Sequence, residues 1–127
     1  MAKLKDLVAY LERNGIAHEI VQHPAAFSAH GVATAVHVPD KTIAKTLIVQ
    51  AGDRHVMVVL PADHRLDDHA LKTALGVKHL SLAREEDLTS LFPDCEIGAM
   101  PPFGNLYALP VFVDSSLTED EEILFNA

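Results

Sequence analysis

The sequence lacks several features that would identify common classes of protein. It has a single cysteine, Cys95, which excludes an internal disulfide and a multi-cysteine metal site and is typical of a reducing compartment. No apolar run approaches the roughly 18–20 residues needed to cross a membrane, and residues 1–11 alternate charges with leucine, unlike a signal peptide. We therefore expect a cytoplasmic protein that does not act at a membrane.

The motifs of familiar catalytic and nucleotide-binding sites are also absent. The chain has no G-x-S-x-G elbow, P-loop, G-x-G-x-x-G turn, H-E-x-x-H helix or C-x-x-C pair. Its eight histidines are scattered, and none forms the i, i+4 pair with which a helix binds zinc. We expect neither a metal nor a cofactor, and we interpret the histidines as structural or solvated.

Basic charge is scarce and unevenly placed. The net charge is −8, and residues 51–127 hold five bases and fourteen acids, against five bases and four acids in residues 1–50. A protein that binds nucleic acid by general phosphate neutralisation needs a clustered basic surface. We therefore do not expect DNA binding, and any other nucleic acid would have to be bound locally.

The remaining composition is that of one globular domain. The chain has 127 residues, of which 49% are hydrophobic and 22% charged, so we expect a single domain over residues 1–127. Hydrophobic periodicity and turn residues predict helices over 4–11, 28–36, 68–75 and 84–91, and strands over 44–49, 55–60, 77–82, 111–114 and 123–125. Because the strands 44–49 and 55–60 are apolar on both faces, they are predicted to be buried and to be joined by a hairpin at Gly52.

Lys45 is unusual because strand alternation places it on the same face as Leu47 and Val49, in a segment suited to burial. A buried ammonium is unfavourable unless it is paired or reaches water. One interpretation is that Lys45 extends to solvent from the start of its strand. The other is that it binds a phosphate, carboxylate or carbonyl oxygen at the mouth of a pocket.

Two further features can each be interpreted as either structural or ligand-binding. In residues 98–104, two prolines stiffen the backbone and flanking glycines permit close approach, which suits either a pocket wall with exposed backbone donors or a plain turn over the sheet. Phe103 in this loop is either a core residue or a ligand platform. Asp114 follows a strand, where it either caps the next turn or adds a carboxylate to the same pocket.

These residues together resemble a known family. The matching segments, in chain order, are IAKTLIV at 43–49, LP at 60–61, GAMPPFG at 98–104, VFVD at 111–114 and ILFNA at 123–127. Their order and spacing resemble the YbaK-type aminoacyl-tRNA deacylase domain, which is related to the editing insertion of bacterial prolyl-tRNA synthetases. The lysine strand followed by the proline-rich glycine loop and the strand-end aspartate is the most specific part of the resemblance.

The resemblance implies an α+β fold, a single domain with a curved mixed β-sheet flanked by helices, that hydrolyses the ester of a mischarged tRNA in trans. Lys45 then corresponds to the family's essential lysine. The residues that resemble substrate-binding positions are Thr46, Gly98, Pro101, Pro102, Phe103, Gly104 and Asp114. The implied partners are the tRNA 3′ aminoacyl end and, for presentation of the tRNA, a synthetase or an elongation factor. The expected substrates carry a small amino acid such as alanine, cysteine, serine or threonine.

The family pattern continues beyond Ala127 with a glycine and a closing segment, so we expect a short carboxyl-terminal segment to be missing here. Two alternatives stay open. One is a non-catalytic module that binds a ligand or nucleotide, within a larger regulatory protein. The other is the editing domain of a prolyl-tRNA synthetase, which requires synthetase sequence on both sides.

Overall fold

A computed structural model describes residues 2–20, 40–93, 102–119 and 122–125. The helices are α1 (Ala2–Arg13), α2 (Asp68–Leu75) and α3 (Glu85–Leu91), and the strands are β1 (Ile43–Ala51), β2 (Arg54–Pro61), β3 (Leu80–Leu82), β4 (Val111–Val113) and β5 (Leu124–Phe125). Short 3₁₀ turns cover Asp40–Thr42, Gly104–Leu106 and Ser115–Glu119. The helix predicted over 28–36 lies outside the described residues.

The strands form one mixed sheet in the order β3-β1-β2-β4. β1 and β2 pair antiparallel with Ala51 opposite Arg54, so the hairpin turn has two residues, and Gly52 adopts the left-handed φ of 66° that such a turn favours. β4 runs parallel to β2. The edge of β1 away from β2 pairs with β3 at one end and with β5 at the other. The predicted α+β class is confirmed.

Both faces of the central hairpin are covered, which explains its continuous apolar sequence. One core layer comprises Ala44, Ile48, Met57, Val59, Phe92 and Leu117, with Leu88 and Leu91 of α3 packed against it. The other comprises Val49, Ala51, Val56, Val58, Leu60 and Leu71 of α2. The prediction of two buried central strands is therefore confirmed.

The helix ends follow local signals in the sequence. Asp67 caps α2 by accepting a hydrogen bond from the Ala70 amide at 3.0 Å, and Gly76 ends this helix with a φ of 69°. The predicted strand over 77–82 is wrong at its start, because β3 begins only at Leu80. Residues 77–79 still follow the end of α2, where the Val77 amide donates a hydrogen bond to the Lys72 carbonyl. Within the described ranges, no helix has the length and apolar character to cross a membrane.

Candidate functional site

Lys45 lies near the start of β1, on the face that also carries Leu47 and Val49, as predicted. Its side chain is half-buried, and its Nζ donates a hydrogen bond to the carbonyl of Ala62 at 3.4 Å and another to the carbonyl of His64. Both carbonyls belong to the loop that follows β2. The ammonium is therefore held at one end of the sheet by backbone oxygens.

An ammonium has three N–H donors, and backbone carbonyls accept two of those of Lys45. In the part of the chain that the structure describes, no acidic side chain pairs with Lys45. Within the described residues, the ammonium therefore has no carboxylate partner, and two of its three N–H groups have hydrogen-bond acceptors. This arrangement suits the binding of an oxygen atom that carries or develops negative charge.

His64 also lies at this site, although no sequence motif pointed to it. Besides its carbonyl contact with Lys45, its ring Nδ1 lies 2.7 Å from Oδ1 of Asp63, and both side chains are nearly half exposed. The register of the β1–β2 hairpin is a sequence feature from which this position of His64 could have been predicted. A two-residue turn pairs Lys45 with Leu60, so the residues just after β2 must lie beside the start of β1.

Asp114 follows β4 directly, and its amide donates to the carbonyl of Val59 at 2.8 Å. Its Oδ1 accepts a hydrogen bond from the Ser116 amide at 2.9 Å, so the capping interpretation describes its position. Hydrogen bonding from Ser116 lowers the pKa of the Asp114 carboxyl below its ordinary value, and the nearby His64 lowers this pKa further. His64 therefore neighbours both Lys45 and Asp114.

This lowered pKa predicts how Asp114 contributes to stability. A carboxyl whose pKa is depressed by folding stabilises the protein above its unfolded pKa of about 3.9, and the contribution is lost as the pH falls through the folded pKa. We expect Asp114→Asn to lower the free energy of unfolding at pH 7 by less than about 1 kcal/mol, because solvent screens this half-buried site. The difference from the wild type should shrink at pH 3.

Urea unfolding at the two pH values measures this difference, with Glu12→Gln on the exposed face of α1 as the control. An equal deficit of the Asp114→Asn protein at pH 7 and at pH 3 would show that the negative charge of Asp114 is not what stabilises the turn.

Thr46 and Phe103 do not lie with Lys45. Thr46 leaves β1 on the opposite face, which it shares with the buried Ala44 and Ile48. The ring of Phe103 packs edge-on against Tyr10 of α1 at 5.8 Å and against Phe125 of β5 at 5.4 Å, measured between ring centroids. Phe125 in turn packs against the core layer on that face, so the core interpretation describes the position of Phe103.

Gly104 is buried, and Leu109 and Val111 occupy the space that a side chain at this position would need. A Cβ at this position would lie 2.5 Å from Val111 Cγ2 and 2.6 Å from the Leu109 carbonyl oxygen. The Gly104 carbonyl accepts hydrogen bonds from the amides of Tyr107 and Leu109, each at 2.9 Å. The described end of the predicted loop therefore folds back on itself.

The predicted site residues thus divide into two groups. Lys45 and Asp114 each lie near His64 in the loop after β2, whereas Thr46, Phe103 and Gly104 pack with the opposite core layer. Pro102 is half-buried next to Phe103, and Gly98 and Pro101 lie outside the described residues. Among residues 2–20, 40–93, 102–119 and 122–125, no three His, Cys, Asp or Glu side chains form a group that could hold a metal ion.

Comparison with known sequences points to a single family. The sequence model of the aminoacyl-tRNA editing domain matches residues 23–127. The chain is 30% identical over 126 residues to the multifunctional Ser/Thr-tRNA deacylase ProXp-y of Escherichia coli (strain K12), which covers 95% of this chain and 75% of that protein. It is 33% identical over 84 residues to a proline–tRNA ligase of Halalkalibacterium halodurans, a match that spans 66% of this chain but only 15% of the ligase.

Solved structures share the fold. A crystal structure of a proposed trans-editing enzyme for prolyl-tRNA synthetase superimposes with a TM-score of 0.77 and 26% identity, over 94% of this chain and 76% of that one. A hypothetical protein superimposes with a TM-score of 0.81 and 24% identity, over 95% of this chain and 81% of that one. The second likeness bears on the fold alone.

Proposed function

Because this chain belongs to the aminoacyl-tRNA editing domain family, we propose that it hydrolyses the ester bond between a small, wrong amino acid and the 3′ end of a tRNA. The family that the sequence predicts is thereby confirmed. The observation that carries the proposal is the Lys45 ammonium, which two backbone carbonyls hold at the end of β1 without an acidic partner in the described residues.

Lys45 acts in this proposal through its charge. Its remaining N–H contacts the ester oxygen or the 3′-terminal nucleotide, so that negative charge developing on the substrate meets a cation that is already in place. The two carbonyls of Ala62 and His64 fix the direction of the ammonium. Little reorganisation is then needed when the substrate binds.

The reaction needs little further catalysis because an aminoacyl ester is already activated toward hydrolysis. The oxygen of water attacks the carbonyl carbon, the bond from that carbon to the ribose oxygen breaks, and the ribose oxygen takes up the proton that water loses. The loop 98–104, including Gly98 and Pro101, is proposed to orient the aminoacyl group. Contacts of Thr46, Pro102, Phe103, Gly104 and Asp114 with the substrate stay predictions.

We expect specificity to come from the volume of the aminoacyl site. A hydrophobic pocket distinguishes one methylene by only about 1–3 kcal/mol, so it excludes larger amino acids more easily than it rejects smaller ones. Alanine, cysteine, serine and threonine are the proposed substrates, and the similarity to a Ser/Thr-tRNA deacylase supports this range. The proposed setting is the cytoplasm, with a synthetase or an elongation factor presenting the tRNA.

The test is the hydrolysis of a panel of tRNAs mischarged with these four amino acids, beside cognate prolyl-tRNA and a control without enzyme. We expect faster release of at least one small amino acid than of proline. Release at the control rate from every member of the panel would contradict the proposal and favour the non-catalytic binding module.

A further inference from the structure

Two lysines and a histidine lie along one face of α2 and just beyond its carboxyl end, away from the residues described above. His69, Lys72 and Lys78 line a shallow cavity of about 390 Å³, together with Thr73, Gly76 and Val77. We call this surface the α2 basic patch. Lys78 and His69 are exposed and Lys72 is half-buried, so all three side chains are accessible to a ligand.

The α2 basic patch is a local exception in an acidic chain. Residues 80–127 contain ten acids and one base, whereas residues 64–79 contain three bases, two acids and three histidines. In the described part of the chain, neither Lys72 nor Lys78 forms an ion pair with a carboxylate. Lys72 complements the negative end of the α2 dipole, but Lys78 lies beyond the helix, so this dipole does not account for both lysines.

The position of α2 connects this patch to Lys45. Leu71 of α2 packs in the same core layer as Val49 and Leu60, on the face of the sheet that carries Lys45. The cap of α2, Asp67, is three residues after His64, whose carbonyl binds the Lys45 ammonium. A helix of eight residues is about 12 Å long, so the carboxyl end of α2 lies roughly this far from Asp67, whose chain segment begins beside the candidate site.

We propose that the α2 basic patch binds backbone phosphates near the 3′ end of the tRNA while the 3′ ester lies at Lys45. The inference rests on the proposed function. Successive phosphates of one strand of duplex DNA are about 3.4 Å apart along the helix axis, so a nucleic-acid strand that spans the length of α2 presents several of them. An acidic protein would thereby gain a local contact for RNA without a basic surface elsewhere.

The test is the binding of tRNA to the wild type and to the double variant Lys72→Gln, Lys78→Gln, measured by fluorescence anisotropy with uncharged tRNA. We expect the dissociation constant of the variant to be about tenfold higher at low salt. The slope of log affinity against log salt concentration should fall by about 1.4–1.8, which corresponds to the loss of two phosphate contacts. The matched control is Lys5→Gln, Arg13→Gln, which removes two exposed charges from α1 and should bind as the wild type does.

A second measurement separates this inference from the proposed function. Hydrolysis of an aminoacyl ester of the terminal adenosine alone should be equal in the wild type and the Lys72→Gln, Lys78→Gln variant, because that substrate is too short to reach the patch. Equal tRNA affinity in these two proteins, or no tRNA binding by the wild type, would overturn the role of the patch whatever the activity. An absence of hydrolysis together with weakened binding would instead contradict only the deacylase.

Discussion

Replacing Lys45 by alanine is expected to lower the rate of deacylation by about 10²–10³-fold, the usual effect of removing one preorganised donor to a developing negative charge. The Lys45 ammonium is oriented before the substrate arrives, because the carbonyls of Ala62 and His64 hold it. The measurement is the release of the amino acid from the mischarged tRNA that the wild type hydrolyses fastest. The effect should appear mainly in kcat if the contact forms with the transition state.

Two controls distinguish a chemical role of Lys45 from a structural one. Lys45→Met keeps the apolar stem of the side chain and removes only the charged group, so it should be as inactive as the alanine variant while unfolding at nearly the wild-type temperature. Lys41→Ala removes an exposed lysine four residues earlier and should retain full activity. If Lys45→Ala and Lys41→Ala hydrolysed the substrate equally fast, Lys45 would have no part in the mechanism.

Replacing Gly104 by alanine is expected to destabilise the protein by about 1–3 kcal/mol, as is typical when a methyl group is forced into a packed site. The new Cβ would meet the Leu109 carbonyl oxygen at 2.6 Å and the Val111 side chain at 2.5 Å. The first contact is with backbone, which cannot move aside easily because the Leu109 amide also donates a hydrogen bond to the Gly104 carbonyl. Urea unfolding measures the change.

Asn105→Ala is the matched control, because Asn105 is the exposed neighbour of Gly104 in the same 3₁₀ turn. Its substitution should change the free energy of unfolding by less than about 0.5 kcal/mol. A Gly104→Ala protein that is as stable as the wild type but fails to release the amino acid would assign this glycine to the ligand rather than to the packing.

Local interactions explain why much of the fold is predictable from the sequence. The apolar runs on either side of Gly52 form β1 and β2, since a two-residue turn leaves only one register in which both runs are buried. Asp67 and Gly76 bound α2 through contacts within four residues of each helix end. Alternation along β1 was also sufficient to place Lys45 on the face of Leu47 and Val49.

The candidate site depends on contacts between distant segments, which periodicity does not encode. The resemblance grouped Lys45 with Thr46 and the loop 98–104. Alternation along β1 already separates Thr46 from Lys45, but only the packing of distant segments places Phe103 against Tyr10 and Phe125. Whether Gly104 faces a ligand or its own chain depended on where Leu109 and Val111 pass.

The sequence by itself determined the central hairpin and the caps of α2, because these depend on residues that are close together in the chain. It also determined the family, because the matching segments occur in a fixed order. Only the tertiary structure decided which groups surround Lys45. His64 meets Lys45 through the pairing of β2 with β1, and Asp114 comes near His64 through the pairing of β4 with β2. The register of the hairpin is enough to bring His64 to Lys45, but no local pattern shows that β4 pairs with β2 and so brings Asp114 near His64.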